Sequence, residues 1–269
     1  MKRSSAELKA LARTQLSGKY GIYIGAALVY NLISGAVSGI TAMIFPTFSV
    51  SKFSVSNMIL EQSTVSAGSL ILFYVVEFII SLILSIFTIG FLKMYLDGSR
   101  GYQVMFSDLF YGFRHHPDRV ILLTLALGLL YAACLIPGYV VLILAIPLES
   151  PALLIAGIVL LIIGLVAVVI LSLGFSQALF LLTDYDDLGP IQAAKESWKM
   201  MKGHKGRLFY LDLSFLGLTL LSLLSCGIAM LWITPYMRMT QSFFYRELDG
   251  ELDQNPQAAQ TEQTDYYAY

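Results

Sequence analysis

Four long stretches without a charged residue constrain the fold of this chain more than any other feature. They are 25 to 34 residues long and cover residues 20–51, 120–148, 150–183 and 213–237. A helix rises about 1.5 Å per residue and the hydrocarbon core of a bilayer is about 30 Å thick, so each stretch is long enough to cross a membrane. Charged residues make up only 13% of the chain, against about 25% in a soluble domain. These features predict an all-α protein, a multi-pass transmembrane helical bundle.

Hydropathy predicts six spans within a membrane domain of residues 21–248. The spans are expected at residues 21–45, 69–92, 120–147, 152–182, 208–225 and 228–247. Residues 1–20 precede them as an amphipathic cytoplasmic helix, in which a Ser4-x-x-Glu7 capping box starts the helix. Its apolar stripe is expected to lie on the membrane surface and consists of Leu8, Leu11, Ala12 and Leu16. Residues 249–269 are polar and acidic, which predicts a disordered cytoplasmic tail.

The basic residues gather on one side of the predicted bundle. When the N-terminus is cytoplasmic, Arg238 is buried, Lys52 faces out, and the other 15 of the 17 lysines and arginines face in. Because loops rich in lysine and arginine stay in the cytoplasm, this bias predicts cytoplasmic termini. The bases adjoin apolar runs, so anionic lipid headgroups are the expected partner and nucleic acid is not.

Three charged residues fall inside the predicted spans: Glu77, Asp212 and Arg238. Each costs roughly 2.5–3.5 kcal/mol at the centre of a transmembrane helix, so each needs a partner. The fifth and sixth spans form a hairpin, and we expect Asp212 and Arg238 to form an ion pair across it. Glu77 is then protonated or hydrogen-bonded to Asn31, Tyr74 or water. These groups either line a polar pathway, with Glu77 as a proton or cation site, or fix the helix register.

The segment 190–202 is predicted to form an interfacial helix with two distinct faces. One stripe holds Ile191, Ala194, Trp198 and Met201, and a second holds Lys195, Lys199 and Lys202. Tryptophan and lysine in this arrangement suit contact with anionic headgroups at the inner interface. A helix that packs beneath the bundle would show the same pattern, and both interpretations remain open.

Small residues and one proline predict local helix packing. Two Gly-x-x-x-Gly pairs occur in the first span, and they are Gly21, Gly25, Gly35 and Gly39. Such pairs let helices approach closely, either within the bundle or in a homodimer. In the third span, Pro137 and Gly138 are expected to kink the helix or to end it.

No cofactor, metal site or catalytic centre is predicted. Asp184, Asp186 and Asp187 resemble the start of a calcium loop, but Leu188 and Lys195 stand where oxygen ligands are required. These acids instead suit the positive end of the helix that follows. The sequence contains no nucleophile elbow, phosphate loop or zinc-protease motif.

Several segments resemble one family. The stretch from Leu181 to Gly217, and within it Met200-Met201-Lys202-Gly203-His204-Lys205, is similar to the bacterial integral membrane proteins grouped as domain of unknown function 975. Further matches are residues 8–21, 108–113 and 227–248, with Leu218, Asp212 and Arg238 as departures from the pattern. The resemblance implies a helical plasma-membrane protein of a Gram-positive bacterium. It implies no reaction and no functional residues.

The function expected from these features is that of a non-enzymatic membrane protein. The leading interpretation is a binding or scaffold protein that contacts lipids, membrane-protein partners or a second copy of itself. The alternative is a transporter or channel for a small solute or ion. Glu77, the Pro137-Gly138 pair and a short similarity between residues 108–120 and 196–208 favour that alternative.

Overall fold

A computed structural model describes residues 3–44, 67–225 and 227–253, and within these ranges all regular secondary structure is helical. The α-helices are α1 (Ser5–Leu16), α2 (Tyr20–Ile44), α3 (Ala67–Arg100), α4 (Tyr111–Arg114), α5 (Pro117–Ala145), α6 (Pro151–Phe175), α7 (Ala178–Asp184), α8 (Pro190–Met200), α9 (Lys205–Leu213), α10 (Leu216–Leu224) and α11 (Met230–Leu248). Two 3-10 helices, Phe106–Phe110 and Glu251–Asp253, complete the list. Of the segment predicted to be a disordered tail, residues 254–269 lie outside the described residues.

Four helical segments of the described residues are long and apolar enough to cross a membrane. They are Tyr20–Thr41, Ile71–Arg100, Pro117–Ala145 and Pro151–Asp184, and they coincide with the first four predicted spans. The predicted span 208–225 is interrupted at Ser214 and Phe215, which separates α9 from α10. Each of these two helices has 9 residues and is therefore about 14 Å long, half the thickness of the hydrocarbon core. The predicted count of six spans is not confirmed.

The packed core lies at one end of the bundle. In α3, the first half exposes its large apolar side chains, including Ile71, Leu72, Val75, Phe78 and Ile79. The second half of α3 buries such side chains, including Phe87, Ile89, Leu92, Met94, Tyr95 and Leu96. The core here also takes in side chains from α1, α7, α9 and α11. We call this the charged end, because Arg100, Asp184, Arg246 and Glu251 also lie there.

Helix α1 packs against the core at the charged end. Ser4 and Glu7 form the predicted capping box, with the Ser4 hydroxyl accepting the Glu7 N–H and the Glu7 carboxylate accepting the Ser4 N–H. Leu8, Ala12 and Leu16, from the predicted apolar stripe, are at most 1% exposed, and α11 is a main neighbour of the helix. Protein therefore covers most of the stripe expected to face lipid, and a contact between α1 and the bilayer stays a prediction.

Helices α5 and α6 form a closely packed hairpin. Pro137 lies inside α5, which continues to Ala145. The helix therefore does not end there, and the other expected outcome, a kink at Pro137, stays a prediction. Gly138 is buried, and a Cβ at this position would lie 2.8 Å from the backbone nitrogen of Leu161 in α6. The pair Pro137-Gly138 thus lets the two helices approach closely.

The two Gly-x-x-x-Gly pairs of α2 do not pack as expected within the bundle. A Cβ at Gly21, Gly35 or Gly39 would meet no described atom within 4 Å. Gly25 differs, because the Phe106 ring lies against it. Apart from Gly25, the motif glycines make no close contact, because α2 meets its neighbours through Tyr23, Ala26 and Tyr30.

Candidate functional site

Glu77 is half-buried in α3, in the half of that helix that exposes its apolar side chains. Within the described ranges, it forms no hydrogen bond or ion pair, and the expected bonds to Asn31 and Tyr74 are not made. Tyr74 points outward and is 64% exposed. Glu77 therefore stands apart from Asp212 and Arg238.

Asp212 and Arg238 are brought together by a third residue. The Gln241 amide donates a hydrogen bond of 3.0 Å to Asp212 Oδ1, and Arg238 Nη1 donates one of 3.1 Å to Gln241 Oε1. Gln241 thus lies between the two charges, where a direct ion pair was expected. The spacing of Arg238 and Gln241, three residues apart on α11, is the sequence signal that could have revealed this bridge.

Helix α8 buries a face of small residues and exposes its lysines. Ala193 and Ser197 are fully buried. The Ser197 hydroxyl donates to the Gly174 carbonyl at 2.9 Å and accepts the Gln177 N–H at 3.2 Å. These contacts dock α8 against the junction of α6 and α7.

The predicted apolar stripe of α8 is divided between protein and surface. Met201 is fully buried, whereas Ile191 is 64% exposed. Lys195, Lys199 and Lys202 are all exposed, as the second face of the helix was predicted to be. We call these three residues and Trp198 the lysine face.

Trp198 connects this face to the end of α6. Its ring lies directly over Gly174, where any Cβ would overlap it, and its centroid is 5.2 Å from that of Phe175. The Lys205 ammonium lies 3.2 Å from the Trp198 ring centroid, a cation–π contact. Lys205 was not among the predicted site residues, because its contact with Trp198 joins two different helices.

A network of ion pairs holds the charged end together. Both terminal nitrogens of Arg100 donate to Asp184, at 2.7 and 2.8 Å, and Arg100 also pairs with Glu251 at 2.9 Å. The Tyr245 hydroxyl donates to Asp184 at 2.9 Å, and Arg246 binds Glu251 at 3.0 Å. Asp184 therefore pairs with α3 and α11, rather than serving the start of α8.

Asp249 lies at the edge of this network. Burial raises the pKa of its carboxyl, a hydrogen bond from the Tyr185 hydroxyl opposes that rise, and the neighbouring carboxylates of Asp184 and Glu251 add to it. Burial and Asp249 both raise the pKa of Tyr185, so its hydroxyl keeps its proton and remains the donor. The contact is a structural bond between α11 and the loop after α7.

A short apolar segment lies beside the ends of α2 and α3. It exposes four large side chains, Met105, Phe106, Phe110 and Phe113. Gly25 and Gly90 provide the space in which this segment packs. Large apolar side chains exposed near basic residues are typical of the membrane interface.

Fold and surfaces together define the class of this protein: an all-helical chain whose apolar helices are compatible with insertion into a membrane. Residues 1–251 match the family described as "Protein of unknown function (DUF975)", so the chain belongs to that family. The resemblance found in the sequence is thereby confirmed. No curated protein and no solved structure matches the chain.

Proposed function

We propose that the protein is an integral protein of the bacterial plasma membrane, with the charged end and both termini in the cytoplasm. It crosses the bilayer four times, through α2, α3, α5 and α6. A four-span topology places every basic loop on the same side of the membrane as a six-span topology does, because the two topologies differ only after residue 205. The positive-inside bias therefore supports the four-span topology equally well.

Residues 215–236 form a hairpin that enters the bilayer from the cytoplasmic side without crossing it. The base of the hairpin is marked by Phe215 and Tyr236, whose ring centroids are 5.1 Å apart. Two charged side chains of α1 contact this base: Lys9 lies 4.0 Å from the Phe215 ring and Arg13 donates to the Tyr236 hydroxyl at 2.8 Å. From there α10 rises about 14 Å, which places the turn at Gly227 inside the membrane.

The function that this arrangement supports best is non-enzymatic binding at the membrane, either as a scaffold for membrane partners or as a receptor for anionic lipids. The lysine face carries this proposal. Its lysines are exposed at the charged end, next to a tryptophan that packs on the end of an apolar helix. Each lysine near an anionic surface contributes about 1 kcal/mol of attraction.

Reversing the three charges of the lysine face is expected to abolish a preference for anionic lipids. The variant Lys195→Glu, Lys199→Glu, Lys202→Glu should lose about tenfold or more in enrichment of phosphatidylglycerol over phosphatidylcholine, since attraction of about 1 kcal/mol per lysine is removed. The measurement is the ratio of the two lipids that copurify from mixed vesicles, determined by mass spectrometry. The matched control replaces the same lysines with arginine and should keep the enrichment. An unchanged ratio in the glutamate variant would refute the lipid role.

A transporter or channel is the second candidate, and Glu77 favours it. This carboxyl group lies within an apolar span without a partner among the described residues, and such groups often mark ion pathways. The variant Glu77→Gln separates the two candidates. A transporter that uses the Glu77 proton loses flux at unchanged expression, whereas a binding protein keeps its lipid and partner contacts.

A further inference from the structure

The contact between Trp198, Gly174 and Lys205 has the features of a specific site for a lipid headgroup. This inference rests on the proposed lipid-binding function. The indole ring is fixed in place, because it fills the space left by the missing side chain of Gly174 and neighbours Phe175. It is nevertheless 39% exposed. A rigid aromatic ring with an accessible edge is suited to the boundary between acyl chains and headgroups.

The positive charge of Lys205 has no counter-charge among the described residues. Its side chain is half-buried against the Trp198 ring, and no described residue accepts a hydrogen bond from its ammonium or pairs with it. Lys199 differs, because its ammonium forms a 2.7 Å ion pair with Glu196. A half-buried ammonium has three donors to satisfy, and an anion satisfies them best.

Lys205 lies where the apolar surface of α6 ends. Helix α6 has no charged residue and ends at Phe175, one residue after Gly174. Val166 and Ile170 are 54% and 50% exposed, and because they precede Gly174 by eight and four residues, helical spacing puts them on the side of α6 that carries Gly174. Acyl chains that lie on this surface bring their phosphate to the level of Lys205.

We propose that Lys205 and Trp198 bind the phosphate of an anionic glycerophospholipid whose acyl chains lie along α6. Lys205 donates to the phosphate oxygens, and the indole ring holds the ammonium in place and contacts the glycerol region. Lys202, exposed on the turn between α8 and α9 and three residues before Lys205 in the chain, supplies a second positive charge. The lysine face attracts anionic lipids in general, whereas this site holds one lipid.

Fluorescence of Trp198 can report on the site directly. The chain has 2 tryptophans, so the variant Trp232→Phe leaves Trp198 as the single fluorophore. This variant is reconstituted into vesicles that contain either phosphatidylglycerol or phosphatidylcholine with brominated acyl chains, which quench tryptophan on contact. We expect roughly fivefold stronger effective binding of the brominated phosphatidylglycerol, the factor that corresponds to about one lysine at an anionic surface. Inorganic phosphate added to the buffer should not reduce the quenching.

Three variants in this background make the test specific. Lys205→Gln should weaken the preference for phosphatidylglycerol about fivefold, while Lys205→Arg should keep it. Lys19→Gln should also keep it, because Lys19 is an exposed lysine in the turn between α1 and α2, outside the lysine face. If Lys205→Gln retains the preference while the whole protein still enriches phosphatidylglycerol, the site is refuted and the proposed function stands. If the unmodified protein enriches no anionic lipid, the proposed function itself fails. Displacement by inorganic phosphate would show a site for free anions and overturn the assignment to a lipid.

Discussion

Replacing Arg100 with glutamine is expected to lower the free energy of unfolding by about 3 kcal/mol. The guanidinium of Arg100 pairs with two carboxylates, Asp184 and Glu251, and the side chains of Arg100 and Asp184 are only 18% and 13% exposed. Removing the arginine leaves Asp184 without its counter-charge at a poorly hydrated site, and leaves Glu251 with Arg246 as its remaining partner. The pairing also joins α3 to α7 and to the C-terminal 3-10 helix, so its loss loosens the whole charged end.

Thermal unfolding of the purified protein in detergent measures this effect. For a chain of this size, about 3 kcal/mol corresponds to a decrease in Tm of roughly 6–12 °C. Lys199→Gln is the matched control, since it also removes an ion pair, but one whose side chains are 70% and 43% exposed. Such a surface pair contributes about 0–1 kcal/mol. Equal Tm values for the two variants would contradict the structural role of the network.

Replacing Gly90 with alanine is the second substitution with a large expected effect. A Cβ at this position would overlap the backbone carbonyl of Leu109 and would lie 2.9 Å from that of Asp108. The 3-10 helix Phe106–Phe110 cannot yield by rotating a side chain, because the contact is with its backbone. Overpacking of this kind costs about 1–3 kcal/mol or more. We expect the apolar segment to separate from α3.

Limited proteolysis detects that separation. Trypsin should cleave after Arg114 several times faster in the Gly90→Ala variant, and its Tm should fall by several degrees. Gly128→Ala in α5 is the control, because a Cβ there would meet no described atom within 4 Å and alanine favours a helix over glycine. If both variants resist trypsin as the unmodified protein does, the close packing of Gly90 against the segment is disproved.

Long charge-free runs predicted α2, α5 and α6 well, because a stretch of that length and hydropathy has few alternatives to a helix in a membrane. The spans predicted at 208–225 and 228–247 are not confirmed, and there many apolar residues face protein. Helix α11 buries Thr240, Ser242 and Phe243 together, and a hydropathy average cannot distinguish a helix buried in a protein core from one immersed in lipid. The interruption between α9 and α10 has no strong local signal either, since neither Ser214 nor Phe215 breaks helices.

The candidate site was predictable in part. The lysine face follows from helical periodicity within one short segment, and its lysines are exposed as expected. The contacts that hold the charged end together join residues far apart in the chain, such as Arg100 with Asp184 and Glu251. No local sequence pattern predicts such contacts. The Gly-x-x-x-Gly pairs of α2 supply one close contact, at Gly25, whereas the close contact at Gly90 lies outside any such pair, because a segment distant in the sequence packs there.

The topology can be measured most directly by labelling single cysteines with a membrane-impermeant maleimide. The background carries Cys134→Ala and Cys226→Ala, which removes both native cysteines, and single cysteines replace Leu148, Lys199 or Ile228. We predict that in intact cells only the cysteine at position 148 reacts, and that the one at 199 reacts after the membrane is permeabilised. Reaction of the cysteine at 228 in intact cells would contradict the four-span topology and support six spans. Reaction of the cysteine at 199 in intact cells would contradict the cytoplasmic location of the charged end.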